Sequence, residues 1–547
     1  MPARYVAACL TIAAGVLGFP IAEIAVHGFD IGLWPVGVKH PSDWFAALIS
    51  SYGLTPASVY AALLFNRTNS LGVYGCTAFL CIFLVPVLAI LACFIPAIGP
   101  RRDPNGTYGD ARWTTRKERE RMTIGLECGL DPDTSRPVRV MVEGHLVTIA
   151  APRTGKTSGL LIPNLAASDS KSWFGPAIVF DPKGENYKAT AERRRDLGRT
   201  VRCFDPVNIV GGPDTWNPVQ TIDTRNILYL QRVARALLGQ EVSGDGAYFR
   251  DSAIAVIVGA FLAASALGNA TPATVSRLLS NVDDFNQAIA PLQGAAVENA
   301  RAVLRMEAKG RDSILSTAAR GFDWCSDERP QRATATSSFD LNDLCGGDVD
   351  LFIALPAEDL ETLAPLMRWM LCDLFMVVRR RRPLERIVCF IDEAQTIFGG
   401  RFKEFLLAVG ELPGHNLSIW SFWQSRSQIT STFGMDGAQT LLNVAEITTF
   451  SDVPLVDPNE RELLSRSVGD YTILEEVKTF DQKTGKTSVS QRATAVRLMT
   501  ADAVGQIPTS DLIILPNSKR YPKRPLQIRK TAYDDPRLKG LIADTSG

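Results

Sequence analysis

Lys156 and Thr157 set an amine beside a hydroxyl at the end of a small-residue loop, within HLVTIAAPRTGKTSGLLIPN (145–164). Those residue types suit a nucleotide phosphate chain. A tight loop turns backbone N–H groups toward phosphate oxygens, a lysine reaches the β and γ phosphates, and a hydroxyl ligates Mg²⁺. ATP and Mg²⁺ are therefore the expected cofactors, held by Ala151, Pro152, Arg153, Thr154, Gly155, Lys156, Thr157 and Ser158. The motif's first glycine falls on Ala150, so that turn has to be made without glycine's freedom. A second Gly-Lys-Thr, at 485–487, supplies an internal control. Phe480 stands where its first glycine belongs and no apolar strand leads in, so a hairpin turn is expected there.

The other half of such a site is acidic. Ile387 to Ile391 is an apolar run ending in Asp392-Glu393, the pattern of a buried parallel strand whose carboxyl end faces a ligand. Asp392 is assigned to the metal, together with Thr157, and Glu393 to general base, where it polarises the attacking water. Taken alone, an acidic pair after a strand equally suits a helix start. Its coincidence with the loop favours the catalytic assignment.

These groups need a sheet to bring them together. His145 to Ala150, Ala177 to Phe180, Val201 to Phe204, Val349 to Leu355, Ile387 to Ile391, Ser418 to Trp423 and Ile447 to Phe450 read as strands alternating with helical patterns, which implies an α/β sheet with helices on both faces. Between about 220 and 340 the order breaks. Ile227 to Leu238, Ala253 to Ala266, Ala296 to Glu307 and Asp312 to Phe322 carry helical spacing, and strand signals are scarce. An all-α domain (221–339) is thus expected inside a nucleotide-binding domain made of 101–220 and 340–547. The basic tail, with Lys519, Arg520, Lys523, Arg524, Arg529 and Lys530, reads as an exposed strand, with DNA contact as the other reading.

A chain of 547 residues exceeds one core. Its 58 basic and 58 acidic residues cancel, so any nucleic-acid contact must be local. Ten cysteines without a CxxC pair argue against a metal ribbon or disulfide scaffold, and four histidines against a histidine metal centre. The first hundred residues are different in kind. Tyr5 to Val26 is apolar except for Glu23, and Leu71 to Gly99 has no charged residue; each is long enough to cross about 30 Å of hydrocarbon. The first stretch also has the form of a signal peptide; the second does not. Arg4 precedes the first span, seven basic residues between Arg101 and Arg121 follow the second, and the 27–70 loop holds only Lys39 and Arg67. Two transmembrane helices with both termini cytoplasmic are expected.

The chain resembles TraG-type coupling proteins of type IV secretion and conjugation. The likeness runs through APRTGKTSGLLIPNL (151–165), VFDPKGENYKATAERRRDLGRTVRCFDP (179–206), DSILSTA (312–318), DLFIALPAEDL (350–360), CFIDEAQTI (389–397), FWQSRSQI (422–429) and LIILPNSKRYPKRP (512–525). The resemblance implies a RecA-like P-loop NTPase fold, similar to RecA and FtsK motors, and a bacterial inner membrane as the one spanned. It also implies a ring-shaped homo-hexamer, and ATP hydrolysis that drives DNA, as a single strand with its relaxase, and/or effector proteins toward a type IV secretion channel. By the same resemblance Gln424 senses the γ phosphate, although it could also cap the following helix, and Asp181 to Glu185 borders the site. The family's trans-acting arginine has no match at Glu411-Leu412-Pro413-Gly414; Arg320, Arg401 and Arg461 are substitutes. Two functions follow: an ATP-driven translocase, or a membrane receptor that binds ATP to dock effector proteins with little turnover.

Overall fold

A computed structural model describes residues 101–239, 245–268, 270–398, 402–480 and 487–543. Both expected membrane spans lie outside these residues, as do Arg401 and the Gly485-Lys486 part of the second triplet. The chain divides into two units, the smaller being Met1–Arg101 with Glu475–Gln491. The larger, Arg102–Leu474 with Arg492–Gly547, carries the eleven-stranded sheet, its helices and the site.

The strands of the described residues are β1 (Arg101–Arg102), β2 (Leu126–Leu130), β3 (Pro137–Val140), β4 (His145–Ala150), β5 (Ala177–Pro182), β6 (Thr200–Phe204), β7 (Val349–Leu355), β8 (Ile387–Ile391), β9 (Leu417–Trp423), β10 (Ala445–Ser451), β11 (Asp470–Phe480), β12 (Thr487–Arg497), β13 (Asp511–Pro516) and β14 (Leu526–Arg529). Eleven form one sheet in the order β3-β2-β14-β13-β10-β4-β9-β8-β5-β7-β6. From β10 to β6 every pairing is parallel, whereas the strands from β13 outward pair antiparallel. All seven strands expected from the sequence are present, three with the expected bounds and four of them one to three residues longer. Of the four antiparallel strands only β14 falls where a strand was expected, in the basic tail, and it is not the exposed strand of that reading: Leu526 and Ile528 are buried.

Every residue of β4, β5, β7, β8 and β9 is buried, which is why these segments read as continuous apolar runs. Alternate residues serve two cores. Val147, Ile178, Phe180, Cys389 and Ile391 face one; Leu146, Val179, Val388 and Phe390 face the other, with Leu160, Leu161 and Leu165 from the segment after the phosphate loop. His145 is buried and neutral: burial pushes its pKa down to about 4. Its Nδ1 accepts the Ile419 N–H (2.9 Å), leaving Nε2–H to donate to Val409 O (2.6 Å), so this histidine pins β4 to its surroundings.

Between β6 and β7 the described chain holds helices and turns, including Ile227–Leu238, Asp245–Ala266, Pro272–Ser280, Val282–Ile289, Ala295–Leu304 and Ala308–Ala319. These pack into the same core as the sheet: Phe261, Phe322 and Trp369 meet edge-to-face or tilted, with ring centroids 5.0–6.4 Å apart. Arg368, buried on the long helix Leu360–Arg381, donates to Ala236 O and Leu237 O at the end of one helix and to Phe398 O (3.2 Å) at the end of another, Ala394–Phe398. Among the described residues only Gly246–Ala266 is long and apolar enough to cross a membrane, and it lies in this helical core.

Candidate functional site

Parallel pairing fixes which ends coincide. Ile149 of β4 stands beside Trp423 of β9, Ile391 of β8 beside Ser421 of β9, and Phe180 of β5 beside Ile391. The residues that follow these strands, Ala151 onward, Gln424, Asp392 and Asp181, therefore emerge together at one carboxyl edge. β9 lies between β4 and β8, so Gln424 is placed between the loop and the acids.

The loop turns where its backbone must. Arg153 (φ 59°) and Gly155 (φ 75°) are left-handed, and the Thr154 hydroxyl donates to Ala151 O (2.8 Å) to close the bend. The helix that follows begins wide: the Ile162 N–H bonds Thr157 O, five residues back. Its first N–H groups have no carbonyl behind them within the helix. Lys156 is only 8% exposed, and its Nζ has no hydrogen-bond partner. A buried amine without a partner is costly to keep unless something anionic is to meet it. At the end of this bend, the bare Nζ is the feature that fits a phosphate chain.

Thr157 Oγ1 donates to Asp392 Oδ2 (2.8 Å). A hydroxyl that donates keeps its lone pairs, so this bond leaves Thr157 able to ligate a cation while Asp392 orients it. Burial pushes the Asp392 pKa up, against the pull of the Thr157 bond and the Lys156 charge. Glu393 adopts φ 56°, a conformation that costs a non-glycine residue roughly 1–3 kcal/mol. Its carboxylate receives both Gln424 Nε2 contacts, at 2.8 and 3.0 Å. The helix cap beyond belongs to Ser425, whose side chain accepts the Gln428 N–H, so the Gln424 amide is free for Glu393.

Asp181 completes the edge. It accepts from Asn186 Nδ2 (3.0 Å) and the Tyr187 N–H (2.9 Å), and burial, with Asp392's charge adding, pushes its pKa up to about 6. Gly184 is required there: φ is 72°, and a Cβ would sit 2.1 Å from Val210 Cγ1. Sequence reasoning missed Lys530, whose Nζ donates to Thr154 O inside the loop. Its signal was a lysine directly after β14, whose apolar residues Leu526 and Ile528 alternate with Gln527 and Arg529, submerged in a basic tail. Of the arginine candidates, Arg461 pairs with Asp502 (3.5 Å) and Arg320 opens the 3₁₀ turn Arg320–Ser326; Glu411 is held by Arg379.

The family described as type IV secretory system conjugative DNA transfer matches residues 108–540. The chain belongs to this family. Protein VirD4 of Rhizobium radiobacter is 24% identical over 422 residues, covering 74% of this chain and 59% of that protein. Conjugal transfer protein TraG of Escherichia coli is 25% identical over 440 residues, covering 69% and 67%. The chain thus spans under two thirds of the length of the VirD4 relatives it matches. Among solved structures, the plasmid coupling protein TrwB in complex with ADP and Mg²⁺ superposes with a TM-score of 0.57 at 16% identity, covering 79% of this chain and 96% of that one. The trigonal TrwB form with sulphate gives 0.58, also at 16% identity, covering 78% and 96%. The resemblance to TraG-type coupling proteins holds, and the fold is the RecA-like α/β fold of TrwB.

Proposed function

We propose that the chain is a membrane-anchored P-loop ATPase that couples cargo to a type IV secretion channel during conjugal transfer. One observation carries this: the partnerless, buried Lys156 Nζ shares an edge with the Thr157–Asp392 and Gln424–Glu393 pairs. Bound ATP and Mg²⁺, the ligand pair that the TrwB structures hold as ADP and Mg²⁺, supply the phosphoanhydride and the metal's charge. Lys156 neutralises phosphate charge with an amine that makes no competing bond. Thr157 offers a lone pair to the cation and its proton to Asp392. Glu393 accepts a proton from water at its carboxylate, and Gln424 holds that carboxylate in register until the nucleotide arrives. The cradle is assigned to 151–158, and the helical residues 221–339 to cargo recognition.

The two apolar stretches, Tyr5 to Val26 and Leu71 to Gly99, anchor the chain with both termini cytoplasmic. The working assembly is a homo-hexamer, with Arg320, Arg401 or Arg461 reaching a neighbouring site. Its partners are relaxase-bound single-stranded DNA, effector proteins, or both, and the channel components. One observation favours a second reading, a receptor that binds ATP with little turnover. The stretch 411–414 lacks arginine, and Glu411 there is tied to Arg379. Phosphate release by the membrane-extracted chain, with and without single-stranded DNA, separates the two. DNA-stimulated release abolished by Lys156→Ala supports the motor; nucleotide binding without release in any oligomeric state supports the receptor.

A further inference from the structure

The sequence groups Lys530 with an exposed basic tail, but the structure seats it against the phosphate loop. Its backbone is fixed on both sides. The Lys530 N–H donates to Ser510 O (2.7 Å), and the next residue, Thr531, donates its hydroxyl to the buried Glu127 Oε1 (2.7 Å). This segment lies tight on the first turn after the loop: a Cβ on Gly159 would sit 3.0 Å from Thr531 O and 3.3 Å from Lys530 Cβ. From that fixed position the Lys530 amine crosses to the Thr154 carbonyl.

A trans peptide sets its C=O and the following N–H on opposite sides of one rigid plane. The plane between Thr154 and Gly155 contains no cis bond, so a donor that holds the Thr154 oxygen aims the Gly155 N–H the other way. Rotating this plane is cheap, because Gly155 tolerates either sign of φ. Something outside the loop has to hold it. We propose that Lys530 is a positioning residue for nucleotide binding: it grips the Thr154 carbonyl from behind and keeps the Gly155 N–H turned into the phosphate cradle. The proposal rests on the reading of 151–158 as that cradle. The amine's surroundings agree with a fixed structural donor. It is half-buried, burial and the nearby Lys156 push its pKa down to about 8, and Asp452 and Asp511 oppose that fall. Lys530 touches the loop's backbone and no reacting atom, so its effect falls on binding.

The test compares the full chain, extracted in detergent, with Lys530→Met and Lys530→Arg, using a fluorescent ADP analogue with Mg²⁺ for affinity and phosphate release for KM and kcat. Losing a charged hydrogen bond to the loop is expected to weaken ADP binding and raise KM roughly tenfold. The change in kcat is expected to be smaller, and Lys530→Arg to recover most of the loss. Unchanged affinity and KM in Lys530→Met overturn the inference, as does a fall in kcat at constant KM. If Lys530→Met melts at a lower temperature, the arginine variant decides: recovered KM supports a donor to Thr154, and no recovery overturns it. A wild-type chain that binds no nucleotide removes the cradle reading and this inference together; a binding wild type matched by Lys530→Met removes the inference alone.

Discussion

Two buried charge clusters sit on the same sheet and are built on opposite principles. Near the start of β7, Asp350 is fully buried and saturated. Arg194 meets it with two bonds (2.6 and 3.0 Å), Arg199 approaches at 3.4 Å, and the Ala177 N–H donates at 2.8 Å. At the carboxyl edge, Lys156 is nearly as buried and its amine has no hydrogen-bond partner. Asp350's cluster pairs its charges inside the protein, although Arg194 Nη1 and Arg199 Nη2 are left without a hydrogen-bond partner, and so holds the fold. Lys156's cluster leaves its amine without one and so is ready for a ligand. Burial alone does not tell a structural charge from a functional one; whether the charge is closed into ion pairs does.

The contrast can be broken at either end. Arg194→Ala leaves Asp350 buried with most of its compensation gone, and unfolding by denaturant is expected to show a loss of about 3–5 kcal/mol. A loss under 1 kcal/mol would mean that the cluster is not what holds this edge. Lys156→Ala should do the reverse. Phosphate release is expected to fall by roughly 10²–10³, while the melting temperature holds or rises, because an unpartnered buried amine has been removed. A variant that melts well below wild type would place Lys156 with the structural group.

Smaller effects sharpen the comparison. Gln424→Ala frees the Glu393 carboxylate and is expected to lower kcat about tenfold with little change in ADP affinity. An equal loss of affinity would make Gln424 a binding residue. A test by pH concerns Asp373, buried against the Tyr229 hydroxyl; burial pushes the Asp373 pKa from 3.8 up to about 8. Folded Asp373 keeps a proton that the unfolded chain releases, so its contribution to stability is complete below about pH 4 and is lost as pH rises toward 8. Asp373→Asn stays neutral throughout. Its melting curve against pH should be flatter than wild type across that window, and parallel curves would refute the assignment.

The parallel core was legible because strands buried on both faces must be apolar throughout, and β7 and β8 were bounded to the residue on that ground. The acids and the loop were legible for a related reason: polar groups that interrupt or end such runs are few and costly. The antiparallel extension was not. β2 and β3 carry Glu127 and Arg139, which read as surface residues but are buried as a pair (3.3 Å) joined by Arg537. A buried charge compensated from some 400 positions away leaves no local trace. Lys530 was hidden in the same way, since its partner is a carbonyl in Thr154, and a backbone atom has no signature in sequence.

Arg368's clamp has an evolutionary corollary. The helices between β6 and β7 occupy what is, in a plain βαβ unit, a single crossover, and the clamp holds them through the carbonyls of Ala236 and Leu237 rather than through side chains. Any helix that ends at that spot can satisfy it, whatever its composition. Selection could therefore rewrite the surface of this segment, or exchange it between relatives, while the strand register and the chemistry at the far edge stay as they are.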